Sequence, residues 1–535
     1  MKPQQKLLNS VDRCVDEALE GIVSSSGCLS LLRGHRVVVR ADLEALKGRV
    51  ALLSGGGSGH EPAHAGYIGS GMLSAAVAGG VFASPPPASV LAAILSLRDA
   101  GVSGVLLIVK NYTGDRLNFG LAAEQARNRG VAVEMVIVAD DCAFDQPSKA
   151  GRRGLCGTVF VHKLAGALAE EGCPLDEIVS KVTEAVKGIG TLGVSLSPCS
   201  VPGCLPSFDL PAGEMELGLG IHGEPGIKRS KVTSADEVVK TMVDHMTNPA
   251  SQSHLSLKSG DSVVLCVNNL GALSCLEISI SVVTRSAIRY LEGRGVRVAR
   301  VMSGAFMTSL EMAGVSLSMM RADQEILRLF DARTTASAWP NLSTVCISGK
   351  SYILDPPAKD MQETSHTEGP LSDVMRKALE AVCSSLLQRQ EELNSLDRAS
   401  GDGDCGNTHA QAAKGEDINC ILVDTLCNIY EQYSQVCLSD RYGGADPGDR
   451  TMLDALCPAV EELGRLTTAP PGGHMAILQA AVEKAELGAE STRDLTARAG
   501  RASYIATVHV TLPDPGAVAI AAILRAVFEA LGGQK

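Results

Sequence analysis

Aromatic residues make up only 3% of this chain of 535 residues, and Trp339 is its single tryptophan. So few flat side chains leave no stacking platform for nucleobases. The formal net charge of -12 opposes binding to a polyphosphate backbone, and no Lys/Arg grouping is long, the pair Arg152-Arg153 being typical. No apolar run is long enough to span a bilayer; the stretch from Met72 to Leu97 is broken by Pro85-Pro86-Pro87. The start, MKPQQKLLNSVDRCVDEAL, has no apolar signal core and reads as an amphipathic helix. The 16 cysteines form no CxxC or paired metal-ligand spacing, so reduced, mostly buried thiols are expected. The expectation is a soluble, cytosolic protein with no nucleic-acid and no membrane partner.

Glycine, by contrast, is plentiful, and its clustering is informative. From about residue 45 to 340, short β-rich runs (Val50–Leu53, Val105–Val109, Val131–Ala139, Val263–Val267, Val296–Met302) alternate with helical patterns such as Leu117–Arg129 and Ala235–Met246. This predicts an α/β N-terminal domain over 1–345, with room for two α/β subdomains and a possible junction in Ser195–Gly226. A polar, proline-containing linker is expected at 346–370. Long helical patterns follow at Leu371–Leu396, Thr451–Leu466, Met475–Leu487 and Gly516–Leu531, so 371–535 is expected to be an all-α domain. Asp514 is a fitting N-cap for its last helix, with Pro515 at the first helical position.

The run Ser54-Gly-Gly-Gly-Ser-Gly-His60-Glu-Pro-Ala-His64 follows a predicted strand. Glycines allow close backbone approach to a small polar ligand, and a histidine beside them titrates near neutral pH. It is no P-loop, lacking GK[ST], and the GxGxxG spacing fails because Pro62 stands three after Gly59. A second strand ends in Lys110-Asn-Tyr-Thr-Gly-Asp115-Arg-Leu-Asn118, on the sheet edge where ligands of parallel sheets collect. A third element, Gly218-Leu-Gly-Ile-His222-Gly-Glu-Pro-Gly226, sets a histidine between glycines, which is expected to leave its imidazole accessible for attack on a carbonyl. Each alone also reads as ordinary structure: a turn, a solvated loop, a structural histidine. In the helical part, Asp397-Arg-Ala-Ser-Gly-Asp402-Gly-Asp404-Cys-Gly406 groups hard oxygen ligands suited to Mg²⁺, with a solvated acidic turn as the alternative. Pro447-Gly-Asp449-Arg450-Thr-Met452 and Arg498–Tyr504 add donors suited to phosphate.

Together SGGGSGHEPAH, VKNYTGDRLNFG, GLGIHGEPG, DRASGDGDCGNTH, PGDRTMLDAL and RAGRASY resemble the dihydroxyacetone kinase family over nearly the whole chain. The resemblance implies an N-terminal substrate domain of two α/β subdomains and a C-terminal helical barrel that holds the nucleotide. By position it implies that His222 forms a covalent hemiaminal with the ketone of dihydroxyacetone. Gly57, Ser58, Gly59 and His60 would line the substrate, Lys110 would contact it, and Asp115 would accept the proton of the attacking hydroxyl, with His222, Asp115 and His60 as the catalytic set. Asp397, Asp402 and Asp404 would hold Mg²⁺ on ATP, and Asp402, Gly403, Asp404, Cys405, Gly443, Arg450, Thr451, Met452 and Asp514-Pro515-Gly516 would surround the nucleotide. Glyceraldehyde is a further implied substrate. In animal members the nucleotide site is also implied to split FAD into AMP and riboflavin cyclic 4′,5′-phosphate with Mn²⁺ or Co²⁺, and the family implies a homodimer.

The chain departs from the pattern between His409 and Tyr442. The family has a longer stretch there with a glycine-serine loop that caps the nucleotide, whereas here the interval reads AQAAKGEDINCILVDTLCNIYEQYSQVCLSDR. The helical domain is therefore expected to be incomplete around 414–441, with adduct formation retained and phosphoryl transfer weak or absent. The alternative to an active kinase is an impaired isoform that acts as a ketose-binding or regulatory protein.

Overall fold

The structure is a computed structural model that describes residues 6–206, 208–277, 282–349, 372–399, 401–414, 445–468, 473–499, 501–504 and 511–532. The chain divides into two compact units, Met1–Asp355 and Pro356–Lys535. Most of the expected linker, and the segment 414–441 from residue 415 on, lie outside the described residues.

The first unit carries two six-stranded sheets. The first is built from β1 (Leu29–Leu31), β2 (Val37–Arg40), β3 (Val50–Ser58), β4 (Ala75–Val81), β5 (Gly104–Lys110) and β6 (Val133–Val138). Their order is β1-β2-β4-β3-β5-β6, with β4, β3, β5 and β6 mutually parallel. The second contains β7 (Ile189–Ser195), β8 (Glu214–Leu217), β9 (Lys228–Lys231), β10 (Ser262–Asn269), β11 (Arg297–Gly304) and β12 (Gly314–Arg321), in the order β11-β10-β12-β7-β8-β9. Only β10 and β11 are parallel there, so this half is a mixed sheet and not a second parallel one.

Two local expectations are corrected. Glycines 55–57 do not leave the strand as a loop; they extend β3 to Ser58 as a fully buried central strand. They must be glycines: a Cβ on Gly55 would stand 2.2 Å from the Val77 carbonyl oxygen, and one on Gly57 2.8 Å from the backbone at Phe82 and Ala83. The subdomain junction is not in Ser195–Gly226. It precedes β7, because β7 already pairs with β12 of the second sheet and Ser195–Gly226 lies inside that half.

Helices fill three layers around the sheets. They are α1 (Cys14–Ser24), α2 (Pro87–Asp99), α3 (Thr113–Arg127), α4 (Thr158–Glu170), α5 (Leu175–Lys187), α6 (Ala235–Met246), α7 (Val282–Gly293) and α8 (Gln324–Asp331). The amphipathic start forms helix only from Cys14. Helices α2 and α3 share a core with one face of the first sheet, and α6 and α7 with one face of the second. Between the sheets runs α4, whose Thr158–Ala169 are all buried, in one core with Leu52 and Ile108 of the first sheet and Val264 and Met320 of the second. A helix apolar all round belongs in such a position. Its polar exceptions, His162 and Lys163, are fully buried, and Lys163 Nζ donates to the Leu329 carbonyl at 3.0 Å.

In the second unit the described helices are α9 (Ser372–Gln388), α10 (Gln390–Arg398), α11 (Cys405–Lys414), α12 (Leu453–Leu463), α13 (His474–Ser491) and α14 (Pro515–Ala530). The pattern read as one helix over Leu371–Leu396 is two, parted at Arg389. Alanines 455, 459, 481, 485, 489, 517 and 521 form the core of α12, α13 and α14, small enough for close helix approach. Asp514 caps α14 by accepting from the Ala517 amide at 2.9 Å. The described cysteines are all free; Cys142, Cys156, Cys199, Cys266 and Cys383 are buried, whereas Cys28, Cys204 and Cys275 are exposed, so fewer are interior than expected. Among the described residues no helix is long and apolar enough to cross a membrane.

Gly166 of α4 touches the backbone of the first sheet's neighbouring turn: a Cβ there would lie 2.3 Å from the Gly71 carbonyl oxygen and 2.4 Å from Met72 Cα. In an exposed helix Gly→Ala gains up to about 1 kcal/mol; here overpacking, about 1–3 kcal/mol, wins. Gly166→Ala is expected to lower the urea midpoint of the first unit. Trp339, being the only tryptophan, reports that unit alone by fluorescence.

Candidate active site

The end of β3 delivers His60 into the interior. Its Nδ1 lies 2.8 Å from the Thr308 carbonyl oxygen, and Thr308 in turn donates from its amide to His60 O and from its hydroxyl to Glu61 O. A carbonyl only accepts, so Nδ1 carries the hydrogen. Burial, then the charges of Lys110 and His222, hold the imidazole well below its ordinary pKa. Neutral His60 therefore presents a lone pair at Nε2, which is buried without a partner among the described residues.

Two rings close around it, and a third packs on one of them. His60 stacks on Phe82 at 5.2 Å, and the His222 ring stands edge-on to His60 at 4.9 Å, to Phe82 at 5.4 Å and to Tyr112 at 4.5 Å. This close packing depends on Gly59 (φ +97°), where a Cβ would meet Phe82 at 2.8 Å and Leu310 at 3.2 Å. Phe82 and Leu310 are themselves in the left-handed region, at φ +57° and +53°, strain that gathers where surrounding structure enforces it.

His222 follows β8 on the glycine-rich loop. It is not splayed into solvent as the flanking glycines suggested: its side chain is 19% exposed, because the rings above enclose it. Its Nδ1 meets Glu224 Oε1 at 3.2 Å, and its amide donates to Glu224 Oε2 at 3.0 Å. Although burial raises the Glu224 carboxyl, the hydrogen bond and charge of His222 and the charge of Arg153 bring it down to about 2. An ionised carboxylate only accepts, so Nδ1 carries a hydrogen and Nε2 is the nitrogen turned away from Glu224.

Lys110 closes β5 and Asp115 lies in the first turn of α3; both are buried. They meet at Gly56, where a Cβ would be 3.3 Å from Lys110 Cε and 3.4 Å from Asp115 Oδ2. Lys110 Nζ, Asp115 Oδ1 and Tyr112 Oη have no partner among the described residues. Burial lowers the lysine from its ordinary value, opposed by the Asp115, Glu224 and Asp140 carboxylates. Behind it, His64 Nδ1 and His162 Nε2 are 3.0 Å apart. Such a set of buried, unsatisfied donors and acceptors is costly, at about 1–3 kcal/mol each, unless a small polar ligand completes it.

Of the expected substrate residues, His60, His222, Lys110 and Asp115 are thus brought into one neighbourhood. Gly57 and Gly59 serve backbone approach, and the Ser58 hydroxyl is engaged with the Gly79 carbonyl at 2.9 Å, leaving only its backbone to line a ligand. Tyr112, Phe82, Glu224, Gly56 and Thr308 were not singled out from sequence. Tyr112 and Glu224 sit inside motifs already noted, so adjacency to Lys110 and His222 was an available signal; Phe82 and Thr308 had none.

In the second unit, carboxylate oxygens of Asp397, Asp402 and Asp404 lie within 4.8 Å of one another. Asp397 Oδ2 accepts from the amides of Gly403, Asp404 and Cys405 at 3.0, 2.9 and 3.1 Å, with Gly403 at φ +81° shaping the turn. The Cys405 thiol is pushed up to about 11 by burial and by the Asp397, Asp514 and Asp404 carboxylates, which puts Asp514 in the field of this cluster. Arg450, buried and at φ +63°, has Nη1 3.8 Å from Asp514 Oδ2 and donates through Nη2 to the Leu512 carbonyl at 2.6 Å. The amide of Thr451 donates to Asp454, and Met452 adjoins Gly516 after Pro515. Arg498 reaches back to Asp449 through its amide. The fold thus gathers the expected nucleotide residues except Gly443, which lies outside the described residues. Arg152 and Arg153 are no surface patch: Arg152 donates to the Asp140 and Asp141 carbonyls and Arg153 pairs with the Asp141 carboxylate at 2.6 Å.

Residues 20–338 match the Dak1 domain family, and residues 422–529 the DAK2 domain family. The chain is 50% identical to the triokinase/FMN cyclase of Mus musculus over 576 aligned positions, covering 99% of each. It is similar in structure to the dihydroxyacetone kinase from C. freundii in complex with AMP-PNP and Mg²⁺, with a TM-score of 0.64, 33% identity, and 98% of this chain and 99% of that chain covered. It also resembles a dihydroxyacetone kinase operon co-activator, with a TM-score of 0.56, 33% identity, and 60% of this chain and 97% of that chain covered.

The buried histidines make the first unit acid-sensitive. Burial first, and then Lys110, lower His60 and His64 well below the ordinary 6.5 and His162 to about 3. Between about 3 and 6.5 the unfolded chain binds more protons than the native one, so stability falls as pH drops through that window and is unaffected by these groups above it. The Trp339-reported urea midpoint is expected to be clearly lower at about pH 5 than at about pH 7.5, and the difference to shrink in His162→Gln. Equal midpoints would refute the neutral-histidine assignment.

Proposed function

The chain belongs to the dihydroxyacetone kinase family, and from that premise we propose that it phosphorylates dihydroxyacetone and glyceraldehyde with ATP, holding the substrate as a covalent hemiaminal on His222. One observation carries this reading: His222, its Nδ1 occupied by Glu224, offers Nε2 in a nest where His60 Nε2, Lys110 Nζ, Tyr112 Oη and Asp115 Oδ1 all lack partners among the described residues.

The chemistry balances without a co-reactant. The Nε2 lone pair forms a bond to the carbonyl carbon, and the C=O π pair moves to oxygen, which takes up one proton. Nδ1 gives up one proton, shared with Glu224 while positive charge develops on the ring. His60 Nε2 accepts the hydrogen of the new hydroxyl, and Lys110 donates to a substrate oxygen. Asp115 takes the proton of the terminal hydroxyl as it attacks the γ-phosphoryl group. A triol without a carbonyl makes no such bond, so a three-carbon ligand with little area to bury is both anchored and selected.

In the second unit the hard oxygens of Asp397, Asp402 and Asp404 suit a divalent ion in number and closeness. Bound there, Mg²⁺ neutralises phosphate charge. Cys405, Gly443, Arg450, Thr451, Met452 and Asp514–Gly516 complete the proposed nucleotide site. We extend the proposal to lyase action on FAD at this site with Mn²⁺ or Co²⁺, supported by the FMN cyclase name of the 50%-identical relative, and to a cytosolic homodimer.

A second reading has its own observation. The alignment with the mouse protein has 576 positions against 535 residues here, so at least 41 positions of that relative face no residue of this chain. A chain that lacked the nucleotide-capping loop would bind the ketose without transferring phosphate, and the likeness of 60% of this chain to a co-activator fits a binding role.

Intact-mass spectrometry with dihydroxyacetone is expected to show an adduct that His222→Ala abolishes; no adduct on the wild-type chain refutes the hemiaminal. In steady state with Mg-ATP, Asp115→Asn is expected to lower kcat by about 10²–10⁴-fold. An adduct-forming chain with no ATP affinity by calorimetry and no turnover selects the binding protein over the kinase.

A further inference from the structure

We infer that Ser309 is a positioning residue for the reaction: its hydroxyl holds the peptide that ends in His222, and so sets that ring against His60. This rests on the reading of His222 as the nucleophile.

The Ser309 hydroxyl, fully buried, donates to the Ile221 carbonyl at 2.6 Å. That carbonyl and the His222 nitrogen belong to one planar peptide unit, and the His222 amide donates to Glu224 Oε2 at 3.0 Å. Both polar groups of the unit are thus engaged, one by Ser309 and one from within the loop. The hold matters because Gly218 and Gly223, on either side, are in the left-handed region that only glycine adopts freely. A hydroxyl has one hydrogen; with it given to Ile221, Cys199 Sγ at 3.4 Å is the donor to Ser309 Oγ.

The residues on either side of Ser309 grip the other histidine. The Thr308 carbonyl accepts from His60 Nδ1 at 2.8 Å, the Thr308 amide donates to His60 O at 3.2 Å, and the Leu310 amide donates to Gly59 O at 2.9 Å. Three consecutive residues of the β11–β12 connection therefore hold both His60, at the end of β3 in the first sheet, and His222, on the loop after β8 of the second. Apolar contact repeats the arrangement: Leu310 and Phe82 pack on a small core that contains Leu219 of the His222 loop.

The run is itself anchored. Buried Asn268, in β10, accepts through Oδ1 from the Phe306 and Met307 amides at 2.8 and 3.0 Å, and donates through Nδ2 to the Met307 carbonyl at 2.8 Å and the Ser316 hydroxyl at 3.0 Å. Tyr67 Oη donates to the Phe306 carbonyl at 2.6 Å. Leu310 sits at φ +53°, a conformation that such surroundings enforce. A bracket of this kind fixes the 4.9 Å separation of the two rings, and a bond-forming step loses rate steeply when the reacting groups drift apart.

The test uses the full chain and two readouts. Time-resolved intact-mass spectrometry gives the rate of adduct formation at saturating dihydroxyacetone, and NMR of histidine-labelled protein without substrate gives the cross-relaxation between the His60 and His222 rings. Ser309→Ala is expected to slow the saturating rate by about 10- to 100-fold, the scale of a displacement of about 1 Å, with the half-saturating concentration little changed. The ring–ring signal is expected to weaken with it. A loss of fold alone would lower the Trp339-reported urea midpoint and the fraction of chain that reacts, not the rate constant of that fraction. Cys199→Ala, which empties space beside Ser309 but leaves its bond to Ile221, is expected to keep the wild-type rate and signal.

A wild-type rate in Ser309→Ala overturns the inference. So does a Cys199→Ala variant slowed as much, since packing and not the hydrogen bond would then be the cause. If Ser309→Ala does not fold, Ser309→Cys decides: a thiol is the weaker donor, and an unchanged rate there overturns the inference too. A wild-type chain that makes no adduct refutes the hemiaminal reading by itself; the placement by Ser309 then stands if Ser309→Ala weakens the ring–ring signal and Cys199→Ala keeps it, and falls if Ser309→Ala leaves it unmoved.

Discussion

Everything in the first unit's site depends on there being no side chain along one strand end. At Gly56, Gly57 and Gly59 the neighbours approach to within about van der Waals contact of the missing Cβ or closer: Lys110 and Asp115 at 3.3–3.4 Å, the Phe82 backbone at 2.8 Å and the Phe82 ring at 2.8 Å. Any larger residue would push one of these away. With glycine, a lysine, a carboxylate and two histidines are drawn into a space from which water is largely removed, and every electrostatic effect there is amplified.

That amplification has opposite consequences for the two histidines. His60 is sealed in and tied to a carbonyl, so it stays neutral with a basic Nε2. His222 is tied instead to the Glu224 carboxylate. What each Nδ1 touches, a carbonyl in one case and a carboxylate in the other, sets the two rings apart. The atoms around them that have no partner among the described residues are a cost that a small polar ligand would offset. The second unit uses the same device, a glycine turn at Gly403 that lets three amides bind Asp397 and brings three carboxylates together.

Much of this was legible in the sequence, for reasons that can be named. The strands at Val105–Val109 and Val133–Val138 and the helix at Ala235–Met246 follow hydrophobic period and length. His60, Lys110, Asp115 and His222 stand out because chemistry-bearing side chains sit beside glycines at strand ends. What failed was continuity: glycines 55–57 read as a loop although the sheet holds them as strand, and Ser195–Gly226 read as a junction although β7 pairs across to β12. Local composition signals flexibility, and only pairing partners far along the chain override it.

The sequence by itself determined the class of architecture and the short motifs that identify the family, because these depend on residue type and near-neighbour spacing. Tertiary structure alone decided what each histidine's Nδ1 touches, that the His222 ring is enclosed by Phe82 and Tyr112, and that Arg153 reaches the Gly218 carbonyl. Those facts rest on contacts between residues tens to hundreds of positions apart. The glycine strand end, legible from the first, acquires its meaning only from what the fold presses against it.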